Sequence, residues 1–308
     1  MSIADINFSR LVVGTVQFGM PYGIANRTGQ PSFDEVSKIL ACALEGGATT
    51  LDTAAEYGDS ESALGRALRA IGALDRVTII TKVRPVKLMT QKRTQKNVSR
   101  YIRDSVSSSL ARLGIESCPL ILFHNTDDIT YMDILLELKK EGLAQHVGVS
   151  VGFPEQMEKV LSTPGVEAVQ IPVSILDQRI LRSGNLARAA QTGMAVFVRS
   201  IFLQGLLVMP SNEIIPELRV VILVRQRLEH IAEEAGLNMS EMALRYGLSL
   251  PGVTGVLTGV ETAEQMAANV AIAARGPLPP HIVQEIEAAV PDLPPTVLSP
   301  YYWPGAKR

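Results

Sequence analysis

Apolar, β-branched runs alternate with helix-length amphipathic stretches along nearly the whole chain. The runs fall at 11–17 (LVVGTVQ), 49–54 (TTLDTA), 77–83 (VTIITKV), 120–125 (LILFHN), 144–151 (AQHVGVSV), 168–174 (AVQIPVS), 195–201 (AVFVRSI) and 252–259 (GVTGVLTG). Most are continuously apolar, the pattern of parallel strands buried on both faces. Between them, Ser32 with Glu35 reads as a capping box that opens a helix, and Gly46-Gly47 as its stop. In "SESALGRALRAIG" the residues Ala63, Leu64, Ala67, Leu68 and Ile71 share one helical face. Helical periodicity continues over 97–113, 130–141, 154–162, 177–192 and 262–274. A longer helical region over about 217–250 is broken at Gly236-Leu237-Asn238, and 240–250 carries its own Ser–Glu start.

Eight strands with intervening helices, and no linker rich in Pro, Gly or charge, predict one (β/α)8 barrel domain over 1–308 with one or two extra helices and a C-terminal tail. The alternative is a doubly wound open sheet. The first strand-to-helix turn, "GTVQFGMPYG", lacks the G-x-G-x-x-G spacing of that fold's nucleotide loop. Periodicity does not separate the two, so the barrel expectation rests on strand number and chain length. Residues 84–97 (RPVKLMTQKRTQKN) form a basic stretch long enough to border the barrel mouth, or a solvated loop. The tail over 289–308 carries Tyr301, Tyr302 and Trp303 between two prolines. Such a tail is expected to pack on the body, and closure over a ligand is the alternative.

Composition narrows the class. With 46% hydrophobic and 19% charged residues the chain suits a soluble protein with a large core. A net charge of −2 gives no electrostatic reason to expect nucleic acid or an anionic membrane as partner. No apolar run approaches the ~20 residues that span a bilayer. The start, "MSIADINFSR", lacks the features of a secretion signal. Cys42 and Cys118 have no cysteine or histidine at metal-ligand spacing, so reduced thiols, a cytoplasmic location and no metal site are expected.

Four ionisable residues stand just after β-like runs: Asp52, Tyr57, Lys82 and His124. In a parallel barrel these positions fall at the C-terminal rim, where barrel enzymes carry their chemistry. Taken singly, each has a bland reading: an aspartate as helix cap, a lysine as rim charge or Schiff-base former, a histidine as structural. Jointly they suit proton donation to a carbonyl. A phenol has an ordinary pKa near ~10, and a protonated lysine beside it favours the phenolate. Asp52 would hold Lys82 charged, and His124 would hydrogen-bond the substrate oxygen. Glu56 either raises the phenol's pKa, contacts a polyhydroxylated substrate, or points away. His146, His230 and His281 have no such company and are expected to be structural or exposed.

The run Asp52-Thr53-Ala54, then Tyr57-Gly58-Asp59-Ser60-Glu61, then "IITK" ending at Lys82 and "LILFHN" with His124, resembles the aldo-keto reductase family. The resemblance extends from about residue 10 to near 274 and suits a bacterial member. It implies an NAD(P)H-dependent oxidoreductase acting on an aldehyde, ketone or sugar carbonyl, with Tyr57 as donor. "GTVQFGMPYGIANRTGQ" is similar to a bacterial subgroup that often accompanies carbohydrate pathways, which implies a sugar-like substrate.

The cofactor's ligands follow from the same resemblance. Ser150 and Gln170 fall where the family holds the carboxamide, although Val151 stands where many relatives have Asn. Arg199 replaces a common stacking aromatic; a guanidinium can stack on a planar ring or reach a phosphate. Ser200, Leu203 and Gly205 line the implied pyrophosphate path. Gly259, Glu261, Gln265 and Asn269 follow the last strand, with no basic residue before Arg275. Glu261 would repel a 2′-phosphate or accept from a ribose diol, or merely occupies a helix N-terminus. The family prior still places NADP(H) narrowly ahead of NAD(H). Two rivals stay open: a nicotinamide-binding regulatory subunit with little turnover, and a Schiff-base lyase using Lys82. Oligomeric state is not legible.

Overall fold

The computed structural model describes residues 3–304; residues 1–2 of the opening "MSIADINFSR" and 305–308 of the tail lie outside the described residues. Eight parallel strands close a barrel in chain order: β1 Leu11–Gly14, β2 Thr50–Asp52, β3 Thr78–Val83, β4 Cys118–Phe123, β5 Ala144–Ser150, β6 Ala168–Pro172, β7 Ala195–Arg199 and β8 Gly255–Gly259. The last strand pairs with the first, Val12 opposite Leu257. The open-sheet alternative is thereby removed.

Side chains on a strand alternate between faces, and this sorts the core into two layers. Inside the barrel, Val12, Ile80, Leu120, Leu122, Ala168, Ala195, Phe197 and Leu257 pack together. Phe8 closes the N-terminal end edge-on against Phe197, with ring centroids 5.0 Å apart. The opposite set, including Val13, Leu51, Ile79, Ile121, Val149, Val169 and Val198, packs outward against the helices. Two residues beyond the interior Ile80, Leu122, Ala168 and Phe197 stand Lys82, His124, Gln170 and Arg199. The alternation that fills the barrel thus turns these four polar groups inward at the C-terminal ends of their strands.

Several boundaries differ from the sequence expectation for identifiable reasons. β1 stops at Gly14 because Val16–Gly19 turns into a short helix, leaving Gln17 outside the strand. Ser32 caps the helix Phe33–Glu45 by accepting from the Glu35 amide, but Glu35 does not complete the box. Its carboxylate instead accepts from the backbone N–H of Ala263 at 2.7 Å, tying two helix N-termini together. The 177–192 stretch splits into Arg179–Arg182 and Asn185–Gln191 at Gly184, whose φ of 73° is left-handed. Asn238, not Ser240, caps the helix Met239–Ser249 by accepting from the Glu241 N–H. Cys118 is the buried first residue of β4, not part of a connection, and both cysteines are free thiols. An additional helix, Pro280–Ala289, follows the barrel.

The tail packs on the body. Trp303 is buried and its indole N–H donates to the Val297 carbonyl at 3.0 Å, while the Tyr302 ring meets Phe153 just past β5. Among the described residues, no helix is long and apolar enough to cross a membrane.

Candidate active site

At the top of the barrel, Lys82 and Asp52 form a buried ion pair. The ammonium donates to Asp52 Oδ2 at 2.6 Å and to the Thr53 carbonyl at 2.9 Å. Both side chains are almost fully enclosed, with relative exposures of 0% and 3%. Removing two charges from water is costly, so the pair persists only because its remaining hydrogen bonds are met. Asp52 Oδ1 accepts from Gln170 Nε2 at 2.7 Å, a bond that crosses the barrel from β6 to β2. The amide oxygen of Gln170 is buried and has no partner among the described residues.

Tyr57 lies over this pair, its ring centroid 4.9 Å from the Lys82 ammonium. The turn that carries it is fixed by close backbone approach. Gly58 adopts a φ of +54°, and a Cβ there would stand 2.4 Å from the Gly19 carbonyl oxygen; a Cβ on Gly19 would stand 1.7 Å from that of Tyr57. Ser60 completes the lock, donating to the Thr15 carbonyl at 2.7 Å and sharing hydrogen bonds with the hydroxyls of Thr15 and Thr53. Glu61 binds Arg112 in a fork and accepts from Thr81. Thus the residues around Tyr57 in the 52–61 motif are scaffold for the phenol.

His124 presents its ring edge-to-face to Tyr57, centroids 5.5 Å apart at 81°. Its Nδ1 is buried and has no partner among the described residues. Burial, reinforced by the charges of Lys82, Arg199 and Lys87, brings the imidazole down to about 3, so it is neutral at physiological pH. Burial likewise holds the Tyr57 phenol above its ordinary value. Lys82 pulls it downward as the sequence suggested, but Asp52 and Tyr22 oppose that pull and burial prevails. Lys82 itself is pressed toward neutrality by burial, yet Asp52 and then Tyr57 outweigh this and hold it above the usual lysine value. The expectation of a lowered phenol is therefore corrected: burial holds it above its ordinary value.

The flanking residues divide into two groups. Ser150, buried, pairs with Gln170 across β5 and β6. Arg199 donates from Nη2 to the Val151 carbonyl at 2.9 Å and from Nη1 to Ser200 Oγ at 3.1 Å, and its charge acts on Tyr57. After it the chain folds tightly: Ser200, Leu203 and Gln204 have φ of 65°, 48° and 53°, and Gly205 95°. Non-glycine residues in that region are strained, and such strain concentrates at functional sites. The Leu203 side chain is buried in the core, which leaves only its backbone for a ligand.

Gly259, Glu261, Gln265 and Asn269 form a separate group after β8. Glu261 accepts from Thr28 Oγ1 at 3.0 Å, and its backbone N–H donates to Gln265 Oε1 at 2.7 Å. Burial lifts its carboxyl above the ordinary value, offset in part by Thr28. Asn269 is buried within the helix Ala263–Ala274, and Arg275 is held by Glu241 at 2.8 Å. Glu56 pairs with Arg84 at 3.0 Å and is not among the charges that act on the Tyr57 phenol.

Two residues at the mouth escaped the sequence reading. Tyr22 acts electrostatically on Tyr57 and accepts from Gln204 at 3.1 Å. Gln17 is buried beside Gly259 with its Oε1 unpartnered. Gln17 was hidden by assignment to a strand, and Tyr22 by lying in a loop without periodicity.

A sequence model of the Aldo/keto reductase family matches residues 10–291. The chain belongs to the aldo/keto reductase family. Among curated relatives, the aldo-keto reductase str7 of Strobilurus tenacellus is 26% identical over 67% of this chain and 60% of its own length. An aldo-keto reductase of Mycolicibacterium smegmatis is 32% identical over 51% of this chain and 55% of its own. The L-glyceraldehyde 3-phosphate reductase of Escherichia coli K12 is 27% identical over 75% of this chain and 77% of that protein. The chain thus spans little more than half the length of the first two. A holo-form aldo-keto reductase from Bacillus halodurans shares the fold with a TM-score of 0.76, covering 96% of this chain and 97% of that one at 24% identity.

Proposed function

We propose that this aldo/keto reductase is an NAD(P)H-dependent carbonyl oxidoreductase in which Tyr57 is the proton donor. The observation that carries the reading is the buried Lys82–Asp52 pair beneath the phenol, with a neutral imidazole at its edge. When bound, the nicotinamide supplies the hydride. The fit for it rests on the unpartnered buried amide oxygen of Gln170, suited to accept from a carboxamide, with Ser150 beside it. Arg199 would face the nicotinamide from β7, while Ser200, Leu203 and Gly205, and then Gly259, Glu261, Gln265 and Asn269, would hold the rest of the dinucleotide.

Each residue then has one task. Tyr57, kept protonated by burial, gives its proton to the carbonyl oxygen. Lys82, held charged by Asp52, stabilises the phenolate that results. An unpartnered buried lone pair costs less than an unpartnered N–H, so His124 carries its proton on Nε2 and donates it to the substrate oxygen. A lysine held above its usual pKa is a poor imine former, which speaks against the lyase alternative. Substrates are small aldehydes, ketones or sugar-like carbonyls. NADP(H) remains ahead of NAD(H): the Glu261 carboxylate already accepts from Thr28, which weakens its case as a ribose ligand. Turnover of simple aldehydes by the purified chain with NADPH and with NADH tests the reading. Absence of turnover with either, while the cofactor still binds, would favour the regulatory alternative.

A further inference from the structure

We propose that Arg199 makes this site select the reduced nicotinamide over the oxidised one by charge. The inference rests on the reductase reading and adds to it a redox-state preference set by one residue of this chain.

Arg199 ends β7 two residues above the interior Phe197, on the same inward face as Gln170 and Lys82. Its guanidinium is half-buried and bonds only to neutral acceptors, the Val151 carbonyl and the Ser200 hydroxyl. Among the described residues no carboxylate pairs with it, whereas Lys82 is matched by Asp52. The bond to Val151 carries the group across β6 to the residue that follows β5. Backbone and side-chain bonds link it to the donor cluster: Val151 N–H donates to the Gln170 carbonyl at 2.8 Å, and Gln170 reaches Asp52. Its charge acts on both Tyr57 and His124, and Lys87 adds a second positive charge at His124. The mouth therefore carries an Arg199 charge that no carboxylate pairs among the described residues, beside a neutral imidazole.

Hydride transfer fixes where that charge is felt. The donor carbon must lie about 3–3.5 Å from the carbonyl carbon whose oxygen meets Tyr57. A charge that acts at the Tyr57 hydroxyl also acts on the nicotinamide ring, whichever way the rest of the dinucleotide runs. The ring is neutral when reduced and carries one positive charge when oxidised, so only the oxidised form is repelled. Two electrons and one proton leave the ring as hydride, the carbonyl takes the hydride at carbon, and Tyr57 supplies the second proton at oxygen. Weaker binding of the oxidised product raises the reduction potential of the bound couple and speeds its release. The site then loads reduced cofactor from a mixed pool.

The test is equilibrium titration of NADPH, NADP+, NADH and NAD+ into wild-type protein, Arg199→Gln and Arg199→Lys, with folding checked by circular dichroism. In wild type the reduced form binds more tightly. Arg199→Gln, which keeps a donor for Val151, loses about tenfold of that preference, mainly by gaining affinity for the oxidised form; Arg199→Lys keeps it. An unchanged ratio in Arg199→Gln, or an equal loss in Arg199→Lys, overturns the charge argument while leaving the reductase reading intact. Failure of wild-type protein to bind any of the four removes both.

Discussion

Gln170 donates its side-chain amide to Asp52 at 2.7 Å across the interior of the barrel, joining β6 to β2 through the carboxylate that also holds Lys82. Gln170, Asp52 and Lys82 are therefore one hydrogen-bonded unit, which joins the half of the site proposed to hold the nicotinamide to the half proposed to donate the proton. Gln170→Leu strips Asp52 Oδ1 of its donor in a buried setting. The expected cost is about 1–3 kcal/mol of stability in urea denaturation, together with weaker cofactor binding. Loss of stability with unchanged cofactor affinity would separate the two halves.

Lys82→Met leaves the Asp52 carboxylate buried and uncompensated, a loss of about 3–5 kcal/mol. Adding Asp52→Asn removes that charge, so the double variant should be more stable than Lys82→Met alone, although neither reduces carbonyls. Denaturation of the two singles and the double checks this. Simple addition of the single effects would show that the residues act independently.

Acid should expose the buried imidazole. His124 falls to about 3 in the folded protein, against about 6.5 in the unfolded chain. Below the unfolded value, the unfolded chain takes up a proton that the native state refuses, so stability contributed by this group is present above about pH 6.5 and lost as pH falls toward 3. His124→Gln should flatten that part of the stability profile. In the same range kcat/KM should show no limb near 6.5, because neither His124 nor the raised Tyr57 phenol titrates there. A kinetic limb at that pH would contradict the neutral imidazole.

Gly58→Ala places a side chain at a left-handed φ and against the Gly19 carbonyl. The strain alone is about 1–2 kcal/mol. The turn also carries Tyr57, so kcat should fall further than melting temperature suggests. A stable variant with full kcat would mean that the phenol's position is not set by this turn.

Much of this was legible in the sequence because parallel barrels write their strands as apolar runs and put their chemistry at strand ends. Lys82, His124, Gln170 and Arg199 each sit two residues beyond an interior apolar residue, so period two alone predicts that they face the barrel interior. The Asp52–Lys82 pair followed from charge and position. What stayed hidden was set by tertiary contacts between distant segments. Glu35 leaves its own helix for Ala263, Asn238 displaces Ser240 as cap, and the phenol's pKa is decided by burial that no local pattern encodes. The Glu261–Thr28 contact joins segments 233 residues apart and was equally invisible.

In the proposed mechanism Tyr57 donates the proton while other residues hold the cofactor. The direct measurement is aldehyde reduction by Tyr57→Phe alongside its affinity for NADPH. The rate should fall at least about a hundredfold with cofactor affinity unchanged. Wild-type rates in Tyr57→Phe would contradict it.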